Sequence, residues 1–134
     1  MADTFELEIA TPDRLVLKET VTEAQIPAKN GFIGVLAGHA PLVSELAAGI
    51  LSYVAQGRKA YMAISTGFLE VTGERTRILA NTAERADEID VQRAQKALER
   101  AQERLARPVA GIDISRALSA LERAQARVEA ARFK

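Results

Sequence analysis

The sequence predicts a chain of mixed class, strands first and helices after: an N-terminal antiparallel β-sandwich over residues 1–84, then a C-terminal αα-hairpin over residues 85–134. Three observations predict it. Short segments of period-two hydrophobicity, parted by glycine, proline or asparagine, fill the first stretch. Seven of the eight glycines lie before residue 84, so the composition changes sharply there. Residues 89–105, IDVQRAQKALERAQERL, realign 23 positions later on residues 112–128, IDISRALSALERAQARV, with 11 of 17 positions identical.

The first strand is read from Phe5, Leu7 and Ile9, which alternate with Glu6, Glu8 and Ala10 and so share one face. Further strands follow at LVLK (15–18), VTEAQI (21–26), ILSYVA (50–55), KAYMAIS (59–65), FLEV (68–71) and RILA (77–80). Gln56-Gly57 and Thr72-Gly73 fall between adjacent strands, where glycine supplies the backbone a tight hairpin needs. Residues 30–42, NGFIGVLAGHAPL, are expected to form a tight glycine-shaped loop. Its Phe32, Ile33, Val35 and Leu36 either plug the sandwich or face a partner.

Two helices are expected over about 88–106 and 113–132, with Pro108 and Gly111 breaking any continuous helix between them. Val91, Ala94, Leu98, Ala101 and Leu105 step by three and four along the first; Ile114, Ala117, Leu121, Ala124, Val128 and Ala131 do so along the second. Alternating large residues with alanine lets the helices approach closely but limits the apolar area buried. At about 25 cal/mol per Å² the hairpin interface contributes only a few kcal/mol. An element that marginal is able to switch between docked and undocked positions.

The chemistry available is narrow. There is no cysteine, which excludes disulfides and thiolate metal sites; there is one histidine and no glycine-rich phosphate loop leading to lysine and a hydroxyl residue. No catalytic or metal-binding residue is assigned, and His39 reads as a loop histidine bonded to backbone. Lys plus Arg against Asp plus Glu is 7 against 9 up to residue 83 and 11 against 9 beyond, for a net charge of zero, which disfavours nucleic acid as a partner. No apolar run approaches the roughly 20 residues that span a bilayer. The acidic, alternating start MADTFELEIA is unlike a signal or transit peptide, so a soluble chain of cytoplasmic origin is expected.

The polar faces carry Arg93, Lys96, Arg100, Arg104 and Arg107 on the first helix, and Arg116, Arg123, Arg127 and Arg132 on the second. A solvated face laced with Glu-Arg pairs accounts for any one of them. Asp113 and Asp90 are most simply N-caps. Capping does not require the further arginines seven and eleven residues after Arg93 and again after Arg116, and paired guanidinium groups on facing helices suit a polyphosphate. Both readings stand at this level.

Taken together, these segments resemble the epsilon subunit of the bacterial F-type ATP synthase over nearly the whole chain. The residues that carry the likeness are NGFIGVLAGHAPLVSELAAG (30–49), TGFLEV (66–71), TRILANTAE (76–84) and a hairpin opening with IDxxRA. Ala28 and Ala37 depart from it, standing where a glycine and a proline are common. The resemblance implies a noncatalytic central-stalk subunit that couples proton-driven rotation to ATP synthesis. Its sandwich would bind the gamma subunit and sit against the c-subunit ring, with Gly31, Phe32, His39 and Leu42 as candidate contacts. Its hairpin would either fold on the sandwich or open toward the alpha and beta catalytic head and inhibit ATP hydrolysis. The location implied is peripheral, on the cytoplasmic side of the bacterial inner membrane, with membrane contact only through the complex.

Some members bind ATP as a regulatory ligand, no cofactor being required. Carried over by position, the ATP candidates are Glu84, Ile89, Asp90, Arg93, Ala94 and Arg100, with Arg123 and Arg127 on the second helix. Two rival classes remain: a free-standing nucleotide-sensing module, which would form no stable complex with gamma, and a small-molecule enzyme, which would need an acid and base or nucleophile that the chain does not offer.

Overall fold

A computed structural model describes residues 3–107, 111 and 113–133. Pro108 and Ile112, on which part of the helix break and the repeat rest, lie outside the described residues. Ten strands come first: β1 (Phe5–Ala10), β2 (Leu15–Val21), β3 (Glu23–Ala28), β4 (Gly31–Leu36), β5 (Leu42–Leu46), β6 (Gly49–Ala55), β7 (Arg58–Ile64), β8 (Gly67–Val71), β9 (Arg75–Ala80) and β10 (Ala83–Arg85). Two helices follow, α1 (Val91–Ala106) and α2 (Ile114–Ala130).

The strands form one continuous hydrogen-bonded path, β10-β7-β6-β3-β5-β8-β9-β1-β2, with β4 added along β3. The path folds into a sandwich because β3 and β5 meet at a single residue pair, Ala28 with Leu46. Two backbone bonds flank that junction, Lys29 N–H to Glu45 O at 3.1 Å and Ala47 N–H to Pro27 O at 3.0 Å. One layer is then β4, β3, β6, β7 and β10; the other is β5, β8, β9, β1 and β2. The pairing is antiparallel as expected, except that β1 runs parallel to β9. Those two strands are neighbours in space but far apart in sequence, and no hairpin constrains their sense.

Alternation decides which side chains fill the space between layers. Leu7 and Ile9 of β1, Ile26 of β3, Leu51 of β6, Met62 of β7, Leu69 of β8 and Ile78 of β9 are fully buried in one cluster. The turn between β6 and β7 has Gln56 at φ 53° and Gly57 at φ 77°, two successive left-handed residues as a two-residue hairpin of matching twist requires. On the outer face of the second layer, Arg77 donates to Glu8 at 3.0 Å and holds its carboxyl below the usual range.

Residues 31–36 depart from the expected loop. They pair with β3 over its full length, from Glu23 opposite Leu36 to Ala28 opposite Gly31. Val35 plugs the core, while Phe32 and Leu36 face outward at 66% and 61% exposure. The alternation is real but disguised, because the outward positions are Phe32, Gly34 and Leu36 and so do not look polar.

One core group is mismatched. Thr76 is 1% exposed and its hydroxyl has no hydrogen-bond partner. Replacing that hydroxyl with a methyl removes an uncompensated desolvation cost at nearly equal volume, so Thr76→Val is expected to stabilise the chain by about 1 kcal/mol. Urea denaturation checks this, and an unchanged or lower midpoint would refute it.

β6 and β7 are covered on both faces, which is why Leu51, Ser52 and Tyr53 are buried consecutively, as are Met62, Ala63 and Ile64. Their outer face receives α2. Ala126 and Ala130 pack there with Ala63, Ile89 and Ala94, and with the partly buried Ile50 and Val128. α2 thus uses two faces: Ala117 and Ala124 belong to the expected stripe toward α1, and Ala126 and Ala130 turn to the sheet. α1 begins at Val91, after a 3-10 turn over Ala86–Glu88, and is capped by Asp90. Beyond α2, Phe133 stacks on Tyr61 of β7 with ring centres 4.0 Å apart and planes 15° from parallel.

Candidate functional site

The hairpin, docked on β6 and β7, encloses a groove with the edge of the sheet. β10 makes that edge: Glu84 pairs with Ala63, which pairs with Ile50, so all three side chains share the face that receives α2. Arg127 lies over Glu84 and grips it with two hydrogen bonds, from Nε to Oε1 at 2.7 Å and from a terminal nitrogen to Oε2 at 3.5 Å. Both side chains are about a third exposed or less, which makes this a shielded pair joining the hairpin to the sandwich.

The groove has a volume of about 1260 Å³, a floor of alanines (Ala63, Ala97, Ala101, Ala117, Ala120, Ala124) and an arginine rim. Arg93 and Arg100 reach it from α1, Arg123 and Arg127 from α2. Of the ATP candidates these four and Glu84 are brought together. The other three do not line it: Ile89 and Ala94 are buried in the packing between hairpin and sheet, and Asp90 is engaged as the α1 cap, accepting from Arg93 N–H at 3.1 Å. Three further rim arginines, Arg104, Arg107 and Arg116, are not among the ATP candidates. Their spacing was the available signal, since Arg104 and Arg107 continue the Arg100 face by four and seven residues and Arg116 precedes Arg123 by seven.

The arginine faces are not laced with Glu-Arg pairs. Among the described residues the helical arginine with a carboxylate within 4.0 Å is Arg127, and its partner is on the sheet. The other rim arginines line the groove with no carboxylate within 4.0 Å among the described residues. Such an arrangement repels itself and favours an anion.

The four other contact candidates do not form one patch. Gly31 and Phe32 stand at the β3–β4 turn, whereas His39 follows the far end of β4, about 13 Å or more along the strand. Leu42 lies on β5, in the other layer, partly buried against the core. His39 donates from Nδ1 to the Ala40 carbonyl at 2.7 Å, as read for a backbone-bonded loop histidine. A second exposed apolar strip runs across the outer face of the other layer, where register aligns Phe68, Leu79, Ala10 and Leu15.

A strand-built platform carrying a helical clamp, with an anion-attracting groove and exposed apolar strips, defines the class of a binding module. Among the described residues no group of His, Asp and Glu is placed to hold a metal, and no helix is long and apolar enough to cross a membrane.

Comparison with known proteins gives the particular family. The beta-sandwich domain of the ATP synthase delta/epsilon chain matches residues 4–86, and the long alpha-helix domain of the same chain matches residues 87–132. The ATP synthase epsilon chain of Koribacter versatilis is 54% identical over 105 residues, 78% of this chain and 74% of that one. That of Solibacter usitatus is 51% identical over 111 residues, 83% of each. Among solved structures, a chain of the Euglena gracilis mitochondrial ATP synthase, in its OSCP/F1/c-ring assembly, superposes with a TM-score of 0.83 at 33% identity, covering 98% of this chain and 82% of that one. The chain belongs to the delta/epsilon-chain family of ATP synthases, whose members are noncatalytic stalk components.

Proposed function

We propose that this chain is the central-stalk subunit that couples proton-driven rotation to ATP synthesis, and that its hairpin restrains ATP hydrolysis under the control of ATP bound in the groove. The observation that carries the nucleotide reading is the convergence of Arg93, Arg100, Arg123 and Arg127 from two helices beside Glu84 of the sheet edge. Guanidinium forks suit phosphate oxygens, and the alanine floor suits an apolar base. The docked hairpin is the ATP-accepting state, since separating the helices from β10 dismantles the rim. Because alanines make most of its contact with the sheet, the hairpin is able to leave.

Support for stalk partners comes from the exposed Phe32 and Leu36 on β4 and from the Phe68, Leu79 and Leu15 strip. These suit the gamma subunit and the c-subunit ring, and the freed basic hairpin suits an acidic face of the alpha and beta head. In that setting the chain is peripheral to the bacterial inner membrane, on its cytoplasmic side.

Calorimetric titration of the isolated chain with ATP, with ADP and Arg123→Ala alongside, tests the nucleotide reading. Saturable ATP binding is expected, weakened about 10- to 100-fold in the variant by loss of a charge-assisted contact. Unchanged affinity in Arg123→Ala would rule this site out.

A further inference from the structure

We propose that the groove holds a second anion subsite at the end nearest the loop between the helices, formed by Arg104 and Arg116 with Arg107 beside them and suited to a small inorganic polyphosphate. The inference rests on the nucleotide reading of the inner end and extends it by the internal repeat. The inner site takes Arg93 from the start of one helix, whose cap is Asp90, and Arg123 and Arg127 from the end of the other. Shifting by the 23-residue repeat turns Asp90, Arg93, Arg100 and Arg104 into Asp113, Arg116, Arg123 and Arg127. In a hairpin of antiparallel helices the exchange generates a matching set at the other end: Arg116 from α2, whose cap is Asp113, with Arg104 from α1, and Arg100 standing between the two ends.

The structure carries the correspondence beyond sequence. Asp113 accepts from Arg116 N–H at 3.0 Å, as Asp90 accepts from Arg93 N–H at 3.1 Å. Ala117, next after Arg116, and Ala94, next after Arg93, are both buried. Arg100, Arg104 and Arg116 all line the same groove, with Arg107 beside them. Glu103 and Asp113 line it too, yet none of these arginines lies within 4.0 Å of a carboxylate among the described residues.

Size points the same way. The rim from Arg93 to Arg107 is about 21 Å long by helix rise, whereas a triphosphate spans little more than one turn. At about 1260 Å³ the groove also exceeds the roughly 300–1,000 Å³ usual for one small ligand.

What separates the two ends is the sheet. The inner end has Ala63 and Ile64 as a wall and Glu84 already paired with Arg127. At the outer end, among the described residues, Arg104, the counterpart of Arg127, has no carboxylate within 4.0 Å, and the strand residues that line the groove, Ala63, Ile64 and Glu84, belong to the inner end. That end fits the phosphate chain without the nucleoside.

The test is a calorimetric titration of the full chain with inorganic tripolyphosphate, in buffer free of phosphate and sulfate, with and without saturating ATP. One tripolyphosphate is expected to bind the ATP-saturated chain. Arg104→Ala combined with Arg116→Ala should weaken it about 10-fold or more, and the milder Arg104→Gln should weaken it less. Absence of binding to the ATP-saturated chain, or binding that both variants retain, overturns the subsite. If ATP itself fails to bind, the nucleotide reading alone is lost. Tripolyphosphate is then titrated into the free chain, where sensitivity to the Arg104 and Arg116 changes supports the subsite and indifference to them overturns it.

Discussion

Gly67→Ala is expected to destabilise the sandwich by more than about 3 kcal/mol and to lower its melting temperature by about 10 °C or more. Gly67 opens β8 and faces Ala80 across the β8–β9 ladder. A Cβ at this position would lie 1.9 Å from the Leu79 carbonyl oxygen and 2.9 Å from the Ala80 Cα. Both obstacles are backbone, so no rotamer change relieves them. Moving β9 away would break the adjoining bonds, Asn81 N–H to Thr66 O at 2.9 Å and Ser65 N–H to Thr82 O at 3.0 Å. The damage would spread into β9 and so to its parallel partner β1. Thermal and urea denaturation measure the effect, and a variant melting within about 2 °C of the parent would contradict the close approach.

Ala130→Leu should release the hairpin while leaving the sandwich folded. Ala130 is fully buried between α2 and the sheet, in a cluster of Ala63, Ile89, Ala94 and Ala126. Three added carbon atoms have no space there, and overpacking costs about 1–3 kcal/mol. An interface built mostly from alanines has only a few kcal/mol in total to oppose this. The sandwich core is a separate cluster, so it should not feel the change. Hydrogen exchange separates the two: protection of α2 amides is expected to fall about 10- to 100-fold while that of β1 and β9 holds. Unchanged α2 protection would mean that the docked interface is looser than its packing indicates. Nucleotide affinity should fall with α2 protection, since Glu84 and Arg127 would no longer meet.

Strands whose outward positions are polar, such as β1, were legible from alternation alone. β4 was not, because Phe32, Gly34 and Leu36 occupy its outward positions. β10 was hidden for a different reason: Ala83, Glu84 and Arg85 carry no pattern, and only pairing with β7 makes them a strand. The parallel sense of β1 and β9 has no local signal at all, since it follows from how distant segments stack. In the helices, the repeat and its caps marked the hairpin plainly. The face that α2 turns to the sheet was obscured because alanine recurs all around its last turns, so Ala126 and Ala130 stand out only by contact.

The site divides similarly. Arginine as the chemical type, and its helical spacing, could be read from residues 93–127. Convergence could not, because it depends on the hairpin docking beside β10 and on Glu84 rising to meet Arg127. The repeat also explains where its two copies differ. Glu103 aligns with Ala126: the first lines the open groove, and the second is pressed to the sheet.

The junction of the two layers at Ala28 and Leu46 has a mechanical consequence. β3 is bonded on one side to β4, lies against β6 within its own layer, and reaches β5 of the other layer through that junction. A sideways push on the Phe32 end of β4 is therefore shared between both layers through backbone bonds, not through side-chain friction alone. Close-packed interiors deform little and transmit strain. The sandwich behaves as a stiff handle, and compliance is concentrated where a small, alanine-rich contact, one ion pair and the Phe133–Tyr61 stack hold the hairpin.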